Sequence, residues 1–556
     1  MSKPNETGTT RRGFLQQTAV AAIGLSVSMQ AVGCSQIQIT REHAYDVLIR
    51  NGQIYDGTNS NPYFADIGIK GDRIVAIGDL DNDAATVIDA DEKVITPGFI
   101  DIHTHCDLTF KKAGWKRYGA YLMPSWKGNY NYLYQGVTTV VTGNCGWGYS
   151  DINEWMDLVD SVSFGTNVYQ LAPHGVIREA LFGNNQPRIL TQNQQEAMKR
   201  RVQEEMEKGC VGLSTGLEYA PGFLSTTEEL IELARIARKC GGIYTTHVRD
   251  ESGKRYPDGR IGVIEAVKEA IEIGRRAEVP VEISHLKISA PFENVSADQL
   301  LDVIEQARME GMDITADQYP YNLSSTTLTY LLPNQYLSGS GVPDRFKTRD
   351  GKQQIRNEIA QVFTYLGPEK TYITFYPEKS DFEGKTIAEI AEMEGRTPEE
   401  SYVDMVCEDT VPLAIFYAQS LKIVEDLMPK DYIITASDGW TIPKGMTMPH
   451  PRTYGTFPKK LKEYVIKRKM ISLSQAIRSM TSLPAEKFNI KARGKIAVNY
   501  YADIAVIDLQ SVTDHATVAS PHQYSEGITH LLVNGELSIE DGVATGIRGG
   551  RTLRRG

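Results

Sequence analysis

"VITPGFIDIHTHCD", residues 94–107, joins two patterns. Apolar and β-branched residues run like a buried strand as far as Asp101, and His103 and His105 follow at a spacing of two. Side chains alternate faces along a strand, so positions two apart share a face, roughly 6–7 Å apart. Two imidazoles so placed either grip one cation or form a hydrogen-bonded pair at a strand edge. The rest of the chain has to separate those readings.

Seven further runs repeat the motif of a short apolar segment followed by a polar or glycine-rich stretch. They are "VTTVVTGNC" (137–145), "NVYQLAPH" (167–174), "CVGLSTG" (210–216), "GIYTTH" (242–247), "PVEISH" (280–285), "MDITADQY" (312–319) and "YIITASD" (432–438). Segments such as "STTEELIELARIARKCGG" and "VIEAVKEAIEIGRRAE" lie between them, with apolar residues at helical spacing. Eight such units predict an α/β chain with a (β/α)8 TIM-like barrel over residues 94–495, whose active site lies at the C-terminal strand ends. A doubly wound open sheet is the structural rival. The interval from Tyr319 to Tyr432 is too long for one crossover, so residues 322–430 read as an inserted lid or subdomain. Short alternating strands broken by Asn-Gly, Asp-Gly and Gly-Asp turns occur in 45–93 and again in 496–550. They predict one small β-sandwich domain built from both chain ends.

The strand ends carry the chemistry. His103 and His105 end the first run, Cys145 the second, His174 the third, His247 the fifth, His285 the sixth and Asp438 the eighth. Five of the ten histidines therefore sit at strand ends, a sorting that scattered core histidines would not show. Histidine, thiolate and carboxylate together suit zinc, the thiolate favouring it over magnesium or calcium. Lone cysteines more often serve as buried structural thiols. Here Gly143, Asn144 and Gly146 surround Cys145 with a tight turn at a strand end, which favours the ligand role.

Composition narrows the function classes. The 556 residues are 41% apolar and 23% charged, ordinary for a globular protein, and the net charge of −11 argues against nucleic acid as a partner. Six cysteines without short paired spacing do not form a disulfide scaffold. At the N-terminus, Arg11 and Arg12 precede a small-residue run, which resembles a twin-arginine export signal over residues 1–34. "AVGC" resembles a lipoprotein cleavage box with Cys34 as the modified residue. Export to the periplasm or cell envelope is expected, with membrane attachment only through a lipid on Cys34.

His-x-His on the first strand, histidines on the fifth and sixth and aspartate on the eighth resemble the amidohydrolase superfamily. "GNCG" (143–146), "GLSTGLEYAPG" (212–222), "THVRDE" (246–251), "SHLK" (284–287), "DQYPY" (317–321), "SDG" (437–439) and "HPRTYGTFP" (450–458) are similar to the N-acyl-D-amino-acid deacylases, or D-aminoacylases. The resemblance runs from about residue 45 to the C-terminus. It implies that Cys145, His247 and His285 hold a tight zinc and that His103, His105 and Asp438 form a second, weaker position. In that scheme the metal activates hydroxide for attack on the amide carbonyl, while Asp438 accepts the water proton and returns it to the departing amine. Many binuclear relatives use a fourth-strand lysine instead of a cysteine, and "GCVGLSTGLEY" has none. Arg452 suits bidentate binding of a substrate carboxylate. Lys287, Tyr219, Tyr319 and Ser325 match further substrate-pocket positions of the family, whereas His174 is not one of its ligands. The expected partner is a small N-acyl-D-amino acid. The alternatives are a D-dipeptidase or cyclic-amide hydrolase, or a silent exported metal-binding relative. A silent protein would have no need to keep Asp438 beside the five other ligands.

Overall fold

The structure is a computed structural model that describes residues 43–112, 123–183, 185–290, 294–333, 336–337 and 341–555. The arginine pair and Cys34 lie outside the described residues.

The apolar run that begins at Val94 is two strands rather than one. Val94–Pro97 ends at Gly98, and Phe99–Asp101 begins immediately after it. Any side chain at 98 would collide with Thr138, so the chain crosses between layers on a glycine. Val94–Pro97 pairs antiparallel with Ile504–Ile507 and parallel with Gln53–Ile54, inside a seven-stranded sheet. A four-stranded sheet that includes Tyr45–Arg50 and Asp66–Lys70 accompanies it. Val47, Ile67 and Ile69 from the N-terminal side share one apolar cluster with Ile504, Val506 and Leu532 from the C-terminal side. Both chain ends thus build one β region, and it also takes the first half of this run.

Parallel strands follow in sequence order. Phe99–Asp101, Val137–Thr142 and Asn167–Gln170 form one sheet. Ala172–Pro173, Gly212–Gly216, Ile243–His247, Val281–Ile283, Ile314–Gln318 and Ile433–Thr435 form another, with parallel register such as Leu213↔Tyr244 and Gln318↔Thr435. Backbone bonds from Leu171 to Thr142 and from Val211 to Gln170 connect the two sheets. At the other margin the Asp438 amide donates to His103 and the His105 amide donates to Gly439. The amides that follow the last strand thus meet those that follow the first.

Helices between these strands bury one stripe each. In Gly262–Ala277, Val263, Ala266, Val267, Ala270, Ile271 and Gly274 are buried at three- and four-residue spacing. Ser296 and Gln299 cap Ala297–Met309 reciprocally, satisfying amide donors that the first turn leaves free. The inserted segment has an antiparallel sheet of Ser324–Thr327, Thr371–Phe375 and Leu413–Phe416. Helices Arg349–Phe363 and Pro398–Cys407 belong to it, and Leu328, Ile355, Ile359 and Tyr402 give it a core of its own. Helix Leu421–Leu427 returns to the main body, where Ile423 and Leu427 join the central cluster. Among the described residues no helix is long and apolar enough to cross a membrane.

Candidate metal centre

The expected ligand residues follow their strands in tight backbone turns. Cys145, His285 and Asp438 adopt φ of 54°, 36° and 50°, a region that non-glycine residues enter at a cost. Gly143, at φ 80°, precedes Cys145, and a side chain there would collide with Gln170. The sharp turn aims the thiol inward instead of along the strand.

His103, His105, Cys145, His247, His285 and Asp438 all meet, and all are buried. Cys145 Sγ lies 3.3 Å from His103 Nε2, 3.7 Å from His285 Nε2 and 3.9 Å from His247 Nδ1. His247 Nδ1 and His285 Nε2 are 2.8 Å apart. Asp438 Oδ1 stands 3.1 Å from His105 Nε2 and 3.6 Å from His103 Nε2. The candidate ligand atoms of Cys145, His247 and His285 fall within 4.8 Å of one another, as do those of His103, His285 and Asp438.

Three carboxylates without an assigned role in the sequence hold the outer ring nitrogens. Glu218 Oε2 lies 3.0 Å from His247 Nε2, Glu251 Oε1 3.0 Å from His285 Nδ1, and Asp317 Oδ2 3.0 Å from His103 Nδ1. They belong to the motifs "GLEY", "VRDE" and "DQYPY", but a carboxylate that acts through a histidine leaves no spacing signature. A ring whose outer nitrogen donates to a carboxylate presents a lone pair from its inner nitrogen. The inner lone pairs of His247, His285 and His103 then converge with the Cys145 sulfur. Such an arrangement repels itself unless positive charge, a metal ion or protons on the rings, sits among the donors. Histidine nitrogens with one thiolate and no ring of oxygen donors suit a zinc-like ion. The residues present therefore fit the metal that the sequence implies.

The cluster also favours an anionic sulfur. Burial would raise the Cys145 thiol, but positive charge beside it, carried by protonated rings such as His103 when no metal ion is bound, holds it well below its ordinary value. Burial likewise opposes ionisation of Asp438, and the Arg452 guanidinium, His103 and His105 overcome that and keep it well below the usual carboxylate range. Burial pushes Glu218 up to about 7 against the opposing pull of His247.

A cavity of about 1410 Å³ opens over this cluster. Tyr219, Ser325 and Arg452 line it, as do Trp147 and Trp440, which no sequence motif singles out. Both tryptophan rings flank His105, at 6.0 and 5.8 Å between centroids. Lys287 and Tyr319 do not line the cavity. Lys287 Nζ lies 2.5 Å from Glu251 and 2.9 Å from His285 Nδ1, while the Tyr319 ring underlies the Arg452 guanidinium at 4.6 Å. His174 stands apart, bonded to Glu229, which also binds Arg178.

A model of the amidohydrolase family matches residues 420–539. The D-aminoacylase of Alcaligenes xylosoxydans xylosoxydans is 31% identical over 535 residues, covering 92% of this chain and 98% of that protein. A crystal structure of D-aminoacylase superposes with a TM-score of 0.76 at 30% identity, over 92% of this chain and 100% of the other. The N-acyl-D-glutamate deacylase of Bordetella bronchiseptica, solved with zinc and a phosphonate mimic of the tetrahedral intermediate, gives 0.75 at 30% identity, covering 92% and 99%.

Proposed function

The chain belongs to the D-aminoacylase family of amidohydrolases, enzymes that hydrolyse amide bonds, and from that premise we propose zinc-dependent cleavage of N-acyl-D-amino acids to a carboxylate and a free D-amino acid. The observation that carries the metal reading is the convergence of the His247 and His285 inner nitrogens on the Cys145 sulfur. The zinc and intermediate mimic bound by the Bordetella relative support it. Zinc held there would polarise the scissile carbonyl and acidify a water towards pKa ~7.

The remaining work falls to the chain's own groups. Asp438, kept ionised, takes the proton from the attacking water and passes it to the departing amine. Arg452 receives the substrate carboxylate with its planar fork. Trp147 and Trp440 exclude water from the His105 side. His103, His105 and Asp438 offer a second, weaker metal position. We read the parallel strands as a closed (β/α)8 barrel with the insertion as its lid, and residues 1–34 as an export signal that leads the enzyme to the cell envelope.

Purified protein loaded with zinc should hydrolyse N-acetyl-D-amino acids and spare the L-enantiomers, with activity lost to a chelator and regained with zinc. Absence of turnover on a panel of D-substrates would sink this reading.

A further inference from the structure

The cavity of about 1410 Å³ exceeds the ~300–1,000 Å³ that usually encloses a drug-sized ligand. An N-acetyl amino acid would leave most of it unused, and the surplus room has a direction. Asp438 and His105 stand beside Arg452 at the metal centre. Next to His247, the Tyr219 ring lies 4.6 Å from the His247 ring and 4.7 Å from Trp147.

Strand Ser324–Thr327 links the two regions. The Ser325 carbonyl accepts from Arg452 at 3.5 Å, and the strand leads within about 10 Å to the turn Leu328–Leu331. It pairs with Leu413–Phe416 in the register Ser325↔Ile415 and Thr327↔Leu413. Leu331, Leu332, Val362, Leu366, Leu413 and Phe416 line the cavity from this inserted body, and the Tyr330 ring stacks on Phe416 at 5.4 Å. Among the described lining residues of the insertion there is no cation and one carboxylate, Glu358. That wall offers an anionic group hydroxyls but no cation, whereas its leucines, Val362 and Phe416 offer contact to a hydrocarbon; the charges of the cavity, such as Arg249, Lys254 and Glu265, lie outside the insertion.

The reaction's geometry decides which part of the substrate goes there. With the carboxylate on Arg452 and the amide carbonyl at Cys145, His247 and His285, the acyl group leaves the carbonyl on the side away from the amine. Tyr219 stands beside His247 and the insertion walls the same cavity, so an acyl chain leaving in that direction has room to run along the insertion. The amino-acid side chain branches earlier, from the α-carbon between Arg452 and the carbonyl. We infer that this wall is an acyl-chain gallery, and that the preferred substrates are N-acyl-D-amino acids carrying a hydrocarbon acyl chain several carbons longer than acetyl. The inference rests on the deacylase reading above.

The test is a series of one D-amino acid acylated with acetyl, butanoyl, hexanoyl and octanoyl groups. Burial of each methylene predicts a rise in kcat/KM of about fourfold per carbon until the wall is covered. Leu413→Asp should lower the octanoyl-to-acetyl ratio of kcat/KM at least tenfold, with its melting temperature confirming the fold. On the wild-type enzyme, octanoate should inhibit hydrolysis of the acetyl substrate at far lower concentration than acetate. A flat or falling series with the acetyl substrate still hydrolysed overturns the gallery and leaves the deacylase reading intact. So does octanoate inhibiting no better than acetate, or a gain that follows side-chain size at fixed acyl length. Absence of turnover across the whole series overturns both.

Discussion

Arg452 Nη2 lies 2.8 Å from Asp438 Oδ2, so the cation assigned to the substrate carboxylate touches the carboxylate assigned to the proton. Both are buried. On the proposed roles, a substrate carboxylate arriving at Arg452 would compete with Asp438 for the same guanidinium, coupling substrate anchoring to the proton-transfer group. The coupling gives separable predictions for the two side chains.

Asp438→Asn keeps the size of the side chain but cannot take a proton at neutral pH. Cys145, His247 and His285 remain, so the tight zinc should stay bound. General acid–base contributions are typically 10²–10⁴-fold, and kcat should fall by about that much. Near-normal turnover with zinc in place would assign the proton to another group.

Arg452→Ala removes the anchor and leaves Asp438 without its nearest cation. The expected outcome is a rise in KM larger than any fall in kcat. Arg452→Lys should recover little, because an ammonium lacks the planar fork that matches a carboxylate. Steady-state kinetics on one N-acetyl-D-amino acid check both variants, and a fall confined to kcat would count against anchoring.

Cys145→Ala removes the sulfur on which His247 and His285 converge. Metal analysis after dialysis should show loss of the tight zinc, with activity gone. Full zinc content in this variant would remove Cys145 from the ligand set.

Glu218→Gln tests the carboxylate bonded to the outer nitrogen of His247. Its carboxylate fixes which His247 nitrogen carries the proton, and losing such a partner typically costs 10–100-fold in metal affinity. Chelator competition should show that weakening while melting of the zinc-loaded protein stays close to wild type. Unchanged zinc affinity would reduce Glu218 to packing.

The clustering of these histidines, Cys145 and Asp438 is legible in the sequence because each closes or follows a short apolar run, although His103 and His105 lie just past the strand Phe99–Asp101 and not within it. Glu218, Glu251 and Asp317 are not legible, since each finds its histidine across 29, 34 or 214 residues of chain. The division at Gly98 is hidden for a similar reason. Val94–Pro97 and Phe99–Asp101 are equally buried, and only pairing with Gln53–Ile54 and Ile504–Ile507 assigns the first to the β region. Lys287 reads like a pocket cation in "SHLK", and the sequence does not show that its buried ammonium pairs with Glu251.

Lys460 gives a prediction about stability instead of catalysis. Its ammonium is buried, with the Thr435 and Ser479 hydroxyls at 2.7 and 3.2 Å as hydrogen-bond partners, and burial pushes its pKa down to about 7. In the unfolded chain the same amine titrates near ~10.4. Between those values the unfolded state holds a proton that the folded state lacks, so the contribution of this group to stability rises with pH across that window. Below about pH 7 both states are protonated and the contribution is flat, at its least favourable level. Across the whole window the change amounts to roughly 5 kcal/mol at most. Lys460→Met keeps the length and removes the charge, leaving Thr435 and Ser479 bonded to each other at 2.9 Å. The variant should melt higher than wild type at pH 7, and its advantage should shrink steadily towards pH 10. Other titrating groups affect both proteins alike, so the difference in melting temperature isolates Lys460. An advantage that stayed constant from pH 7 to pH 10 would mean that Lys460 folds with its proton on.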